Sequence, residues 1–173
     1  MNYKNVISTE YFKSFINSTR KFCSYIESIQ NENYLIELQR LLMEIYTNAM
    51  NLKTIELESN VEFQERLNDK EFGSIKTRTS NSLGEAQVYW TIFDPTENVF
   101  GEEKGVMGDL LDDIMDIYKD LKYQLMIFDL NTDDSIENAV WGFKFDFWYH
   151  WSNHAIDAMR TIHYVIEKTE KYK

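Results

Sequence analysis

Apolar residues recur at steps of three and four over most of this chain, the period of an α-helix with one buried face. The first run predicts a helix from about Ser8 to Gln30, with Phe12, Phe15, Ile16, Thr19, Phe22, Cys23, Ile26 and Ile29 in one stripe. Ser8 or Thr9 can accept from its first-turn N–H groups. Asn31 to Asn33 is a short break, and a second helix follows from about Glu32 to Leu57 on Leu35, Leu38, Leu42, Ile45, Ala49 and Leu52. Two long helices with so short a connection form an antiparallel pair.

The middle of the chain is less regular. Ser59 to Glu62 reads as a capping box opening a short helix to about Asn68, with Phe63 and Leu67 inward. Asp69 to Ser80 turns polar and is the best loop candidate. It reads as solvated surface or as a flap carrying Lys70, Lys76 and Arg78 over an acidic or phosphate-bearing ligand. Ser82 to Glu85 reads as a second capping box, opening an aromatic segment from Glu85 to Phe93 that Asp94-Pro95 stops. Thr96 to Gly105 is another loop. The pattern then predicts a fifth helix from about Val106 to Phe128, and a turn at Asp129 to Asp134 with Thr132 or Asp134 as cap. The sixth helix runs from about Asp134 to Glu170, with Gly142 as its one weak point.

These elements specify an all-α fold: a single-domain helical bundle over residues 1–173, of four long helices plus one or two short helices. Composition agrees. Among 173 residues there are one Pro and six Gly, too few for a many-turned β fold, while 43% hydrophobic and 15% aromatic residues suffice for a packed core. The net charge of −11 disfavours nucleic acid and anionic lipid as partners. No apolar run is long enough to span a bilayer, and the first ten residues show no leader pattern, so a cytoplasmic location is the expectation. Cys23 is the one cysteine, which excludes an intrachain disulfide and a multi-Cys zinc site and suits a buried thiol.

Charge changes the picture on the fifth helix. On a wheel of about 100° per residue, Asp109, Asp112, Asp113, Asp116 and Asp120 share one arc of roughly 100°. Amphipathicity explains the segregation but not the uniform sign, because like charges at i,i+4 oppose the helix. The helix dipole favours Asp109, Asp112 and Asp113 near the start but not Asp116 and Asp120. Two readings follow: a solvated acidic face, or a site for a divalent ion such as Mg²⁺ or Mn²⁺.

The sixth helix holds three of the four Trp and all three His. Its polar strip carries Asp146, His150, Asn153, His154, Asp157 and Arg160, and the Trp residues read mainly as core and interface anchors. His163 falls on the apolar side and reads as a satisfied core histidine. His150 and His154, at i,i+4, can chelate a transition metal, with Asp157 or Asp146 as third ligand or as the group that orients a ring. They can also act as a general base held by a carboxylate, or form hydrogen-bonded helix contacts. There is no Glu between them as a metalloprotease motif requires, no Ser or Cys nucleophile context, and no Gly-rich phosphate loop.

Two stretches carry a family resemblance. The segment from Asp109 to Leu125 resembles the signature Leu-x-Asp-Asp-Leu-x-Asp-Ile-Tyr-x-Asp-Leu-Lys-x-Gly-Leu. The segment from His150 to His163 resembles His-Trp-Gly-x-His-Ala-x-x-Ala-Leu-Arg-x-x-His, and Tyr89 to Pro95 is similar to a third piece. Both signatures are those of domain-of-unknown-function family 5063, small helical bacterial proteins. Ser152 and Gln124 stand where the signatures have Gly. The resemblance implies a helical fold and no assigned activity. It marks Asp112, Asp113, Asp116, Asp120, His150, His154 and Arg160 as signature positions.

Two functional readings are open. The first is a soluble binding or regulatory module that uses His150, Asn153, His154, Asp157 and Arg160 against a protein or small-molecule ligand. The second is a metal-dependent hydrolase of a phosphorylated small molecule, with a divalent ion on some of Asp112, Asp113, Asp116, Asp120, His150 and His154. The second requires the Asp face of the fifth helix to meet the His face of the sixth. A separation beyond roughly 12 Å, with ligands at about 2 Å each, rules it out.

Overall fold

A computed structural model of the chain describes residues 2–29, 34–64, 67–92, 96 and 105–171. The breaks expected at Asn31 to Asn33 and Phe93 to Pro95, and most of the Thr96 to Gly105 loop, lie outside these residues. The all-α expectation agrees with the fold, to which a two-stranded sheet is added. The elements are α1 (Tyr3–Ile7), α2 (Glu10–Glu27), α3 (Tyr34–Met50), α4 (Asp69–Leu83), β1 (Val88–Thr91), β2 (Val106–Asp109), α5 (Leu110–Asp129), α6 (Asp133–Asp146) and α7 (Ser152–Lys171). A 3₁₀ turn, Gly84–Gln87, joins α4 to β1, and a π turn, Phe147–Trp151, joins α6 to α7.

The long helices arise from the stripes their sequences carry. Thr9 caps α2 by accepting from the Phe12 N–H, and Phe15, Phe22 and Ile26 of that helix are fully buried. Helix α2 packs on α3, α3 on α7, and α5 on both α6 and α7. One core results, in which Phe15 meets Phe143 edge-on at 5.1 Å and Phe147 meets Trp151 at 4.9 Å. Burying each such ring stabilises the fold by roughly 1.5–3 kcal/mol.

Four expectations are corrected. The Asp69 to Ser80 loop is helical. Asn68 accepts from the N–H groups of Lys70 and Glu71, and Ile75, Thr79 and Leu83 form a buried stripe at helical spacing. The Arg78 guanidinium donates to the Glu27 carbonyl at the end of α2, so this segment is no flap. The helix expected from Ser59 to Asn68 is absent over residues 59–64. Instead the Ser59 N–H donates to Glu137 and its hydroxyl to Asp134, which strap an extended stretch to α6. Ser82 opens no helix. Its hydroxyl back-bonds to the Arg78 carbonyl within α4, and Val88–Thr91 is strand. Helix α5 begins at Leu110, because Asp109 ends β2 and caps the helix, accepting from Leu111 and Asp112.

The sixth helix is interrupted by the π turn and not at Gly142. Gly142 lies against the Gln124 amide, and a Cβ there would stand 2.3 Å from Nε2. A π turn inserts one residue without advancing the buried face, so a straight helical wheel mis-phases what lies around it. Phe145, Trp148 and Ile156 are exposed, and so is His163, which is not the core histidine its wheel position implied: within α7, Ile156 and His163 lie away from the stripe of Ala155, Ala158 and Ile162. Trp90 is exposed as well; of the four Trp, only Trp151 is fully buried. Among the described residues no helix is long and apolar enough to cross a membrane.

Candidate metal centre

Helix α5 presents its Asp residues and the π turn with α7 presents its His residues, and the two faces meet. His150 Nδ1 lies 2.6 Å from Asp120 Oδ2, and His154 Nδ1 lies 2.8 Å from Asp113 Oδ1. Each ring is therefore oriented through Nδ1 by its own carboxylate. The two rings sit 5.0 Å apart, and His154 Nε2 is 3.8 Å from Asp116 Oδ2. Asp116, His150 and His154 each offer a ligand atom, all within 4.8 Å of one another. An ion at about 2 Å from each ligand draws such atoms closer still, and the exposed His150 side chain has room to follow.

A second layer holds the first. The Tyr89 hydroxyl donates to the remaining Asp113 oxygen at 2.5 Å. Thr91, on the same side of β1, donates to Asp157 at 3.2 Å. Neither residue figures among the sequence-based candidates, because Glu85 to Phe93 reads there as helix. The available signal is the alternation of Tyr89 and Thr91, two apart and hence on one side of a strand. The remaining candidates divide. Asp157 joins the edge of the cluster through Thr91, whereas Asp112, Asn153 and Arg160 are exposed and make no side-chain hydrogen bond among the described residues. Asp146 accepts from Gln124 at 2.8 Å and makes no hydrogen bond to either His among the described residues.

Electrostatics follow from this layout. The bond to Asp113 holds the His154 pKa above its ordinary value, against the opposing effect of burial. Burial raises the Asp120 carboxyl, opposed by its bond to His150, and burial also raises Asp157. Burial and then the bond to Asp113 push the Tyr89 hydroxyl upward, which keeps it a proton donor at neutral pH. The arrangement can hold a divalent ion on two imidazoles and one carboxylate, and a water can complete the coordination.

The two signature segments thus form the two walls of one cluster, and a family model matches residues 6–168. The chain belongs to the family described as Domain of unknown function (DUF5063). This DUF5063 chain is also similar to a crystal structure of protein BF1032 from Bacteroides fragilis. That likeness has a TM-score of 0.77 at 18% identity, covers 92% of this chain and 94% of that one, and concerns the fold alone. No curated protein matches the sequence.

Proposed function

We propose that this protein binds a divalent transition metal through His150, His154 and Asp116 and uses it as a hydrolytic centre. The supporting observation is the cluster of three potential ligands in which each imidazole is oriented by a separate carboxylate, Asp120 for His150 and Asp113 for His154. Metal-binding histidines nearly always give their second nitrogen to such a partner, which fixes the tautomer and raises ligand basicity. Imidazole donors favour Zn²⁺ or another transition ion over Mg²⁺. Three protein ligands leave a position for water, whose pKa the ion lowers towards neutrality.

Metal analysis after Zn²⁺ loading and desalting tests this. The expected result is about one ion per chain, lost in His150→Ala and His154→Ala and in Asp116→Asn. A wild-type chain that retains no ion, or a double His variant that retains as much as wild type, overturns it.

A binding or regulatory role is the second reading. It is supported by a row of stacked rings outside the cluster: Trp141 on Phe145 and Phe145 on Tyr149, both at 4.6 Å, with Tyr149 76% exposed. On that reading the His150→Ala, His154→Ala double variant folds and loses its protein partners in a pull-down. Recovery of the same partners by the variant sinks it.

A further inference from the structure

The face of α7 that carries His154 continues past the cluster. Asp157, Thr161, Tyr164 and Lys168 follow at steps of three and four, so they lie on the same face. With β1 they enclose a cleft of about 380 Å³, lined also by Glu85, Tyr89, Thr91 and Arg160, so that two cationic and two acidic side chains border it. Pockets that take small molecules begin at roughly this volume.

Two features give the cleft a chemistry unlike the rest of the surface. Arg160 and Lys168 are exposed and make no ion pair among the described residues, in a chain of net charge −11. Tyr164 is 50% exposed, so an aromatic ring is left available at the same cleft, whereas strand alternation turns the Trp90 ring to the other side of β1. The Arg160 guanidinium forms no ion pair among the described residues, although Asp157 lies one turn away, and beside the Tyr164 ring it suits a ligand with a phosphate and a planar aromatic group. Arg160 stands six residues beyond His154, about 9 Å along the helix. Long helical side chains lean back towards the N-terminus, so a phosphate held by Arg160 is directed to the metal end of the cleft.

We infer that this cleft is the substrate subsite of the centre and that it binds a phosphorylated aromatic small molecule of nucleoside monophosphate type. Arg160 takes the phosphate, Tyr164 takes the ring, and Lys168 adds positive potential at the far end. The inference rests on the metal reading for the chemistry but not for the binding.

Titration calorimetry of AMP into metal-free protein tests it, with adenosine and inorganic phosphate as the other probes. Saturable AMP binding is expected, at least tenfold tighter than adenosine, with inorganic phosphate competing. Arg160→Glu should weaken AMP at least tenfold, and Tyr164→Ala should weaken both AMP and adenosine. Arg160→Glu should keep the Zn²⁺ stoichiometry of the wild type, which separates loss of this subsite from loss of the centre. Absence of AMP binding, equal binding of AMP and adenosine, or unchanged AMP affinity in Arg160→Glu overturns the inference. If wild type holds no metal yet binds AMP in this way, the metal reading fails and the subsite stands.

Discussion

Tyr89 crosses directly over Gly108. The two residues pair across β1 and β2, and a Cβ at position 108 would lie 2.3 Å from the Tyr89 ring. The bare backbone of Gly108 is what allows the phenol to reach Asp113, one turn into α5. Gly108→Ala should therefore displace the ring and leave Asp113 without that donor. On the proposed centre, Gly108→Ala and Tyr89→Phe should each lower Zn²⁺ affinity about 10- to 100-fold, the usual effect of losing an outer-shell partner. Competition with a chelating dye measures this, and unchanged affinity in both variants would show that the hydroxyl does not act on the cluster.

Gly142 and Gln124 form a second close approach. The Gln124 amide occupies the space of a Cβ at 142 and is held there by its bond to Asp146. Gly142→Ala should destabilise the fold by about 1–3 kcal/mol through overpacking. Adding Gln124→Ala should recover part of that loss, because the obstructing amide is gone. Urea denaturation of both singles and the double gives the coupling.

Burial lifts the Asp146 carboxyl to about 6, from 3.8 for the free group. Between those pH values the folded chain holds more protons than the unfolded chain. Stability contributed by this group is thus fullest at low pH, falls as pH rises from about 4 to about 6, and is flat above. Asp146→Asn keeps an oxygen for Gln124 and removes the charge. It should raise stability at pH 7.5 by roughly 1–3 kcal/mol and flatten that slope. Thermal melts across pH 4–8 check both parts, and an Asn variant no more stable than wild type at pH 7.5 refutes the assignment.

Helix α4 depends on its first residue boundary. Asn68 satisfies two backbone donors, so Asn68→Ala should cost about 1 kcal/mol. Asn68→Asp should preserve the cap and cost little. Chemical denaturation compares the two; equal losses in both variants would mean that the cap contributes nothing.

The long helices were legible because each carries a stripe at its own spacing, as Phe15, Phe22 and Ile26 do in α2. Helix α4 was not, because Ile75, Thr79 and Leu83 are few and stand among Lys, Ser and Thr. Its burial comes from neighbours, as where Phe72 stacks on Tyr118 at 6.4 Å. Both walls of the cluster were legible as polar strips, the Asp strip of α5 being of one sign. Their contact was not, because the pairings of His150 with Asp120 and His154 with Asp113 span 30 and 41 residues. Tyr89 was missed for a different reason: a four-residue strand is too short to show its period against an aromatic-rich background.

The π turn at Phe147–Trp151 sets the angular phase between the two halves of the last helix. Upstream, that phase places Gly142 against Gln124 of α5 and Phe143 against Phe15 of α2; downstream, it aims His154 at Asp113. Deleting Trp148, itself 56% exposed and outside the core, would leave a continuous α-helix with both faces in phase, whereas regular α-helix through all the present residues would rotate everything beyond the turn by about 100°. Either the core residues Ala155, Ala158 and Ile162 or the histidine would then lose its position. The number of residues between the two halves thus requires the wide turn, even where the identity of each residue is free.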